Sequence, residues 1–218
     1  IPSGEMSNYE LLDELDNSFS NIIISTGMSN LSDIKKAYNF FINKKKILKE
    51  KITLLHCVSE YPTKSSNINL ASIVYLKNIF DCSIGFSDHT KGVSASIASS
   101  LFNIRFIEKH FTLDKNLQGP DHSSSLEPRE FTKMISGIKS NLKLYGNYSK
   151  TILPLETKNS LLVKKSIVAK TNIVRGQKFS KINITTKRPY NGISASKWFN
   201  VVGKIAKKNF KKNDFIEI

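Results

Sequence analysis

The sequence contains few cysteines, no long apolar run and few acidic residues in its last third. Two cysteines among 218 residues exclude a disulfide-stapled scaffold and indicate a reducing compartment. Apolar runs such as residues 22–24 are much shorter than the ~20 residues of a membrane helix, which excludes a transmembrane protein. The sequence also starts at Ile1 without an initiator methionine or a basic, then apolar, leader. We therefore expect a cytoplasmic protein and a chain that is the C-terminal part of a longer polypeptide.

Basic residues are concentrated toward the C-terminus. The formal net charge is +15, yet residues 1–150 carry 18 Lys and Arg against 15 Asp and Glu. Residues 151–218 carry 15 Lys and Arg against 3 Asp and Glu. This asymmetry predicts two units with different roles, of which the basic one meets an anionic substrate, an acidic partner or nucleic acid. With 39% hydrophobic residues, the chain has enough apolar material for a sizeable core.

Short apolar runs alternate with helix-length patterns through residue 148. Four of these runs are continuously hydrophobic, which is typical of parallel strands covered on both faces. They are residues 21–25, 52–58, 83–87 and 105–111. The spacing of apolar residues between and after them predicts helices at residues 32–46, 69–80, 91–102 and 128–145. This order predicts an α/β fold, the C-terminal half of a (β/α)8 barrel, with the end of a fifth strand at residues 1–3. Because half a barrel leaves a sheet edge open, we expect this polypeptide to be inactive on its own.

The pattern changes after residue 148. Residues 149–160 are polar and contain Pro154, which predicts a linker. Short strand-like runs follow at residues 166–169, 182–186 and 215–218, with one helical patch at residues 196–202. The sequence therefore predicts three segments, which are the half-barrel at residues 1–148, the linker at 149–160 and a small β-rich domain at 161–218.

Two histidines follow neighbouring strands of the predicted sheet. Alternation along a strand places Ser87 and His89 on one side, and likewise Glu108 and His110. Adjacent parallel strands would bring the two imidazoles together at the carboxyl-terminal mouth of the barrel, where active sites are built. Two imidazoles and an open coordination shell suit Mn²⁺ or Mg²⁺, or Zn²⁺. The alternative is that both are ordinary buried histidines bonded to their neighbours.

Hydroxyl groups form a second candidate site at the same mouth. Serines follow or end successive strands, and two of them lie close to glycines; they are Ser3, Ser25, Ser59 and Ser87. Serine hydroxyls and glycine N–H groups that converge in this way can hold a phosphate, although serine and glycine are also ordinary turn residues. Asp121, in the loop after the last strand, is placed to accept hydrogen bonds from a polyol.

Seven segments, taken together and in order, resemble the sialic acid synthase family, which includes N-acetylneuraminate, legionaminic acid and pseudaminic acid synthases. They are IPSGE at 1–5, IIISTGMS at 22–29, LLHCVSEYPT at 54–63, IGFSDHT at 84–90, IEKHFTLD at 107–114, GPDHSSSLEP at 119–128 and KRPYNGIS at 187–194. The resemblance implies a (β/α)8 barrel that condenses phosphoenolpyruvate with an N-acylated, mannosamine-type sugar to give a nonulosonic acid and phosphate. It also implies an antifreeze-like (SAF) domain at the C-terminus, which covers the active site of the partner in a domain-swapped homodimer.

The same resemblance implies roles for individual residues. His89 and His110 are the expected ligands of the divalent metal, Mn²⁺ or Mg²⁺. The expected phosphoenolpyruvate contacts are Ser3, Ser25, Ser59 and Ser87, with Tyr61 nearby. Asp121 is expected to hold the sugar, and Arg188 to reach its N-acyl group. The family's glutamate general acid/base belongs to the first half of the barrel, and the GPDH motif at 119–122 favours an N-acetylneuraminic or legionaminic product.

Two other functions are compatible with parts of the pattern. A basic binding module would use residues 151–218 to contact nucleic acid or an acidic polysaccharide, but the lysines are scattered and follow no known nucleic-acid-binding motif, so we do not expect nucleic acid as a partner. A Schiff-base aldolase would need a lysine at a strand end. The strand-embedded candidate is Lys109, which alternation points away from His110.

Overall fold

The computed structural model describes residues 1–218 and divides into two units, Ile1–Asn147 and Tyr148–Ile218. The first unit contains a four-stranded parallel sheet in the order β1-β2-β3-β4. Its strands are β1 (Ile22–Ser25), β2 (Ile52–Cys57), β3 (Ser83–Asp88) and β4 (Ile107–Lys109). Each strand pairs with the next one along the chain, and helices connect them, which is the connectivity of a (β/α)8 barrel. The predicted half-barrel is confirmed.

Five α-helices accompany this sheet. They are α1 (Tyr9–Asp13), α2 (Leu31–Asn39), α3 (Ala71–Ile79), α4 (Ser94–Ser99) and α5 (Pro128–Tyr145). The start of α2 is fixed by a capping box, because the Asn30 side chain accepts from the N–H of Asp33 and the Asp33 carboxylate accepts from the N–H of Asn30. No helix of the structure is both long enough and apolar enough to cross a membrane.

The core of the first unit lies between the sheet and its helices. All six residues of β2 are buried, including Leu54 and Leu55, so its hydrophobicity is continuous rather than alternating. Phe41 and Phe86 are fully buried in the same core. Phe41 lies in a π-helical turn, Phe40–Lys44, that follows α2 where the sequence predicts a continuous α-helix to residue 46. The apolar pattern continues through both segments, so periodicity alone does not separate them.

The two edges of the sheet carry short additional pairings. Ile1 donates its amino group to the carbonyl of Ile23 at 2.7 Å and accepts from the N–H of Ser25 at 3.0 Å, as a parallel neighbour of β1 does. At the other edge, the N–H of Leu126 donates to the carbonyl of His110 at 2.9 Å, and Leu126 in turn accepts from Thr112. The predicted fourth strand, 105–111, is shorter in the structure: only Ile107–Lys109 pair with β3, and Phe111 forms an isolated bridge with Leu126.

The second unit consists of two α-helices and a two-stranded antiparallel sheet, and it has its own core. Its elements are α6 (Pro154–Val163), β5 (Ser166–Ala169), β6 (Ile184–Lys187) and α7 (Trp198–Val201). Ile167, Phe179 and Phe210 are buried in this core. The run predicted as a strand at 215–218 contributes a single bridge, between Val168 and Phe215.

The segment predicted as a linker, residues 149–160, contains the beginning of α6. Pro154 occupies the first turn, where its missing N–H costs nothing, and the Glu156 carboxylate accepts from the N–H of Leu153 at 2.9 Å. The sequence analysis predicts a linker here because the segment is polar and contains a proline. Pro154 and Glu156 are instead signals of a helix start, so a helix begins within the predicted linker.

The buried imidazole of His56 makes the stability of the first unit depend on pH. Its Nε2–H donates to the carbonyl of Ile68 at 2.7 Å, and burial lowers the pKa of His56 despite this hydrogen bond, which acts in the opposite direction. The unfolded chain therefore binds a proton more readily than the folded chain. The stabilisation is complete above the unfolded pKa of about 6.5 and is lost as the pH falls through and below that value.

We therefore predict that thermal unfolding of the parent shifts to lower temperature more steeply between pH 8 and pH 5 than that of His56→Gln. Circular dichroism melts at three pH values measure this difference. The control is His122→Gln, which changes a histidine outside the core. Parallel pH dependence of the parent and His56→Gln would contradict the assignment.

Candidate active site

A cavity of about 590 Å³ lies at the carboxyl-terminal ends of β1 to β4. It brings together seven of the sequence-predicted site residues, which are Ser3, Ser25, Ser59, Tyr61, Ser87, His89 and His110. The cavity is also lined by Cys57, Met28 and Glu108, which the sequence-predicted site omits. The alternation of side chains places Glu108 on the same side of the strand as His110, and this was the signal in the sequence for Glu108 as a cavity residue.

The imidazole rings of His89 and His110 lie next to each other in this cavity. The ring centroids of His89 and His110 are 5.4 Å apart, with the ring planes at 77°. The Tyr61 ring lies against both imidazoles, with its centroid 4.0 Å from that of His89 and 5.4 Å from that of His110. The geometry therefore places two imidazoles side by side under one aromatic ring.

Each imidazole has a partner at its Nδ1 atom. His89 Nδ1–H donates to the carbonyl of Val58 at 2.8 Å, and His110 Nδ1 lies 3.8 Å from Asp121 Oδ2. The hydrogen bond to Val58 leaves Nε2 of His89 with a lone pair in the neutral imidazole, while the Asp121 carboxylate lies near His110 Nδ1 without a hydrogen bond. Metal-bound histidines in proteins are held by the same kind of partner, a backbone carbonyl or a carboxylate.

These residues fit a divalent metal ion with an open coordination shell. Within this chain no group of three or more His, Cys, Asp or Glu side chains could hold a metal ion, so a metal at His89 and His110 would have coordination positions left for water and substrate. Such a shell suits a Lewis-acid role with Mn²⁺ or Mg²⁺ better than a closed structural site. Because the two ring nitrogens available are neutral donors, the ion would keep most of its positive charge.

Hydrogen bonds inside the cavity shift the proton affinities of Cys57 and His89. Burial raises the pKa of the Cys57 thiol, but its contacts with His89, Ser87 and Ser3 outweigh burial, so the pKa lies below its usual value. Burial lowers the pKa of His89, but the contacts with Cys57 and the Val58 carbonyl and the nearby Glu108 raise it above its usual value. Both shifts stabilise charge in the cavity.

The serine hydroxyls surround the backbone of Gly27. The N–H of Gly27 donates to Ser3 Oγ at 2.9 Å. A Cβ atom added to Gly27 would lie 2.8 Å from Ser3 Oγ and well inside van der Waals distance of Ser59 Oγ. Close by, Ser87 Oγ donates to Glu108 Oε1 at 2.7 Å. The hydroxyls of Ser3 and Ser59 thus form a wall of the cavity that is backed by Gly27, and such neutral groups can contact an anion without a lysine or arginine.

Three candidate residues lie outside this cavity. Asp121 lines an adjoining cavity of about 280 Å³ that shares His110 as a wall. Arg188 belongs to the second unit, where its Nε–H donates to the carbonyl of Val163 at 3.0 Å; its action on a sugar in a partner subunit stays a prediction. Lys109 is buried on the opposite side of β4, so it is not available for Schiff-base chemistry in the cavity.

Half a parallel barrel, with paired imidazoles and clustered hydroxyls at its carboxyl-terminal mouth, defines part of a (β/α)8-barrel enzyme. The NeuB family profile matches residues 1–150, and the SAF domain profile matches residues 164–217. The chain belongs to the NeuB family and carries a SAF domain, which confirms the resemblance found in the sequence motifs.

Characterised relatives share these regions. The chain is 44% identical to the N,N'-diacetyllegionaminic acid synthase of Campylobacter jejuni over 99% of its own length and 64% of that relative. It is 31% identical to the N-acetylneuraminate-9-phosphate synthase of Homo sapiens, of which it covers 60%. It is 30% identical to the pseudaminic acid synthase of Helicobacter pylori, of which it covers 62%. The chain therefore spans slightly less than two thirds of these enzymes.

Solved structures support the same fold. The N-acetylneuraminic acid synthetase of Leptospira borgpetersenii, in complex with citrate, matches with a TM-score of 0.67 and 34% identity over 73% of this chain and 54% of that one. A spore coat polysaccharide biosynthesis protein E from Chromobacterium violaceum matches with a TM-score of 0.79 over 98% of this chain and 64% of that one. Its identity is 20%, so this second match shows the fold alone.

The crowding around Gly27 gives a test of the hydroxyl wall. An anion bound at this wall, such as the phosphoenolpyruvate that the sequence resemblance implies, should bind about tenfold or more weakly to Gly27→Ala, because overpacking at this level costs ~1–3 kcal/mol and displaces Ser59 and Ser3. Isothermal titration calorimetry measures the affinity. The matched control is Gly4→Ala, because Gly4 lines the cavity and nothing lies within 4 Å of a Cβ atom added there.

The double variant Gly27→Ala/Ser59→Gly removes the closest obstacle and should recover part of the affinity. Equal affinities for the parent and Gly27→Ala would contradict the placement of the substrate anion at this wall.

Proposed function

We propose that this chain provides the carboxyl-terminal part of a nonulosonic acid synthase site, which condenses phosphoenolpyruvate with an N-acylated, mannosamine-type amino sugar. The observation that carries the proposal is the lining of one cavity: two imidazoles and a group of serine hydroxyls meet there, with Ser87 Oγ 3.4 Å from His89 Nε2. The named relatives support the same reaction class, since they are synthases of legionaminic, N-acetylneuraminic and pseudaminic acids.

The reaction forms one carbon–carbon bond and replaces the bond from C2 to the phosphate oxygen with one from C2 to the oxygen of water, whose protons go to the new hydroxyl and the phosphate. C3 of phosphoenolpyruvate attacks the aldehyde carbon of the open-chain sugar, and the aldehyde oxygen takes up a proton to become a hydroxyl. C2 becomes electron-poor as C3 reacts, and water adds there. The bond between C2 and the phosphate oxygen then breaks, which releases inorganic phosphate and leaves the 2-keto acid. Holding the two substrates in line supplies a large part of the rate, on the order of several kcal/mol.

The residues of the cavity have separate tasks in this proposal. The hydroxyls of Ser3, Ser25 and Ser59 donate to the oxygens of phosphoenolpyruvate, and Ser87 does so by turning its hydroxyl from Glu108 to the substrate. Such preorganised neutral donors bind an anion without a buried countercharge of their own. Tyr61, which is half exposed over both imidazoles, limits the access of water to them.

His89 and His110 would hold the divalent metal, with Nε2 of each ring as the donor. A divalent ion bound there supplies Lewis-acid polarisation of the aldehyde oxygen. Asp121 serves two purposes, because its carboxylate lies 3.8 Å from His110 Nδ1 and also lines the adjoining cavity. There it orients the imidazole and accepts hydrogen bonds from the sugar hydroxyls.

A chimera tests the proposal, since the chain spans 64% of the Campylobacter relative. The part of that relative that precedes the matched region is joined to this chain. We predict that the chimera forms nonulosonic acid from phosphoenolpyruvate and either N-acetylmannosamine or a 2,4-diacetamido sugar, and that the chain alone does not. Phosphate release and mass spectrometry of the sugar product measure the reaction.

Single variants of the chimera then test the two histidines. His89→Ala and His110→Ala should each reduce the rate by about 100-fold or more, because one of the two imidazole ligands is lost. The control is Lys49→Met, at an exposed ion pair with Asp81 outside the cavity. An active chimera that retains its full rate in both histidine variants would contradict the proposal.

A further inference from the structure

A buried ion pair lies behind the two histidines, on the side of the sheet away from the cavity. Lys109 Nζ is 3.3 Å from Asp88 Oδ2, and the two side chains are 1% and 0% exposed. The other ion pairs of the chain lie nearer the surface; in the pair of Lys49 with Asp81, for example, the side chains are 47% and 82% exposed. The synthase chemistry proposed above assigns no task to Lys109 or Asp88.

The carboxylate of Asp88 is fully occupied by further hydrogen bonds. Oδ1 accepts from both the N–H and the hydroxyl of Thr90, each at 2.8 Å, and Oδ2 accepts from Ser96 Oγ at 2.5 Å. Lys109 Nζ also donates to the carbonyl of Thr90. The ammonium group therefore contacts two residues, Asp88 and Thr90, that lie on either side of His89.

The strand register extends this connection to the second histidine. Asp88 of β3 pairs directly with Lys109 of β4, and His110 is the next residue. Because side chains alternate, Lys109 and Asp88 point to one side of the sheet while His89 and His110 point to the cavity on the other. One ammonium group thus links the residues that flank His89 to the residue that precedes His110.

Stability alone does not account for this pair. Replacing a buried ion pair with apolar residues of similar volume is often neutral or stabilising, because both charges must be taken out of water. Breaking it from one side leaves an uncompensated buried charge, so its geometry is strongly enforced. A pair of this kind is suited to fixing the relative position of the two segments that it connects.

We propose that Lys109 and Asp88 are positioning residues, which hold His89 and His110 at the separation needed to bind one divalent metal ion. The inference rests on the metal-binding role of the two histidines in the proposed function. Neither side chain touches the substrates or the metal; both act through the backbone on either side of the imidazoles.

The test compares Mn²⁺ binding with folding in the same variants of the whole chain. Asp88→Asn/Lys109→Met removes both charges together and leaves no unpaired buried charge. We expect the unfolding temperature of this double variant to lie within a few degrees of that of the parent. Its affinity for Mn²⁺ should be about tenfold lower or more, which is the usual loss when a group that orients a metal ligand is removed. Electron paramagnetic resonance of free Mn²⁺ measures the affinity, and Asp81→Asn/Lys49→Met is the matched surface control.

A second variant, Ser96→Ala, and the ¹⁵N spectra of the histidine rings test the same positioning role. Ser96→Ala removes one hydrogen bond to Asp88 without changing charge, and should weaken Mn²⁺ binding by about threefold. In ¹⁵N spectra of the histidine rings, the parent should show His89 protonated at Nδ1, as its bond to Val58 requires, and the double variant a mixture of tautomers. Folded variants with the Mn²⁺ affinity and ring spectrum of the parent would overturn the inference.

The same titration separates this inference from the proposed function. His89→Ala/His110→Ala should bind Mn²⁺ far more weakly than the parent. If this variant binds Mn²⁺ as tightly as the parent, the metal site of the proposed function is wrong. The positioning role of Lys109 and Asp88 is then wrong as well, because it depends on that site. If only the histidine variant loses binding, the metal site stands and the positioning role of Lys109 and Asp88 is overturned.

Discussion

The parallel register between β3 and β4 is the constraint on which the rest of the site depends. It places Ser87 opposite Glu108 and Asp88 opposite Lys109, so that successive residues of both strands face opposite sides of the sheet. On the cavity side this register collects a hydroxyl, a carboxylate and two imidazoles. On the other side it buries an ammonium group against a carboxylate. The hydrogen-bonding pattern between β3 and β4 therefore determines both which side chains line the cavity and which charged side chains are buried behind them.

The half-barrel could be predicted from the sequence because its strands are continuous in hydrophobicity and its helices have clear ends. Helix α5 has the predicted bounds, residues 128–145, because Pro128 marks its first turn and Gly146 follows its last. The end of α2 could not be predicted, since Phe40 and Phe41 continue the apolar pattern into a π-helical turn. The end of β4 could not be predicted either, since the chain changes its partner there from β3 to Leu126, a tertiary contact that no local pattern reports.

The candidate site was predictable to the extent that it depends on alternation within strands. That rule places Ser87, His89 and His110 on a common side. It does not show that Ser59 packs against the backbone of Gly27, because the two residues lie in different loops. The contact of His110 with Asp121 was equally hidden, since it requires the ten intervening residues to fold back toward the end of β4.

The alternation of β4 also limits how its length can change. One residue inserted before Lys109 within the strand would exchange the two sides, which would send the ammonium group into the cavity and the His110 imidazole into the packed interior. The connection between β3 and β4, which includes α4, has no such parity requirement. Insertions and deletions in this family should therefore accumulate in the connecting segment and be absent from the three residues of the strand.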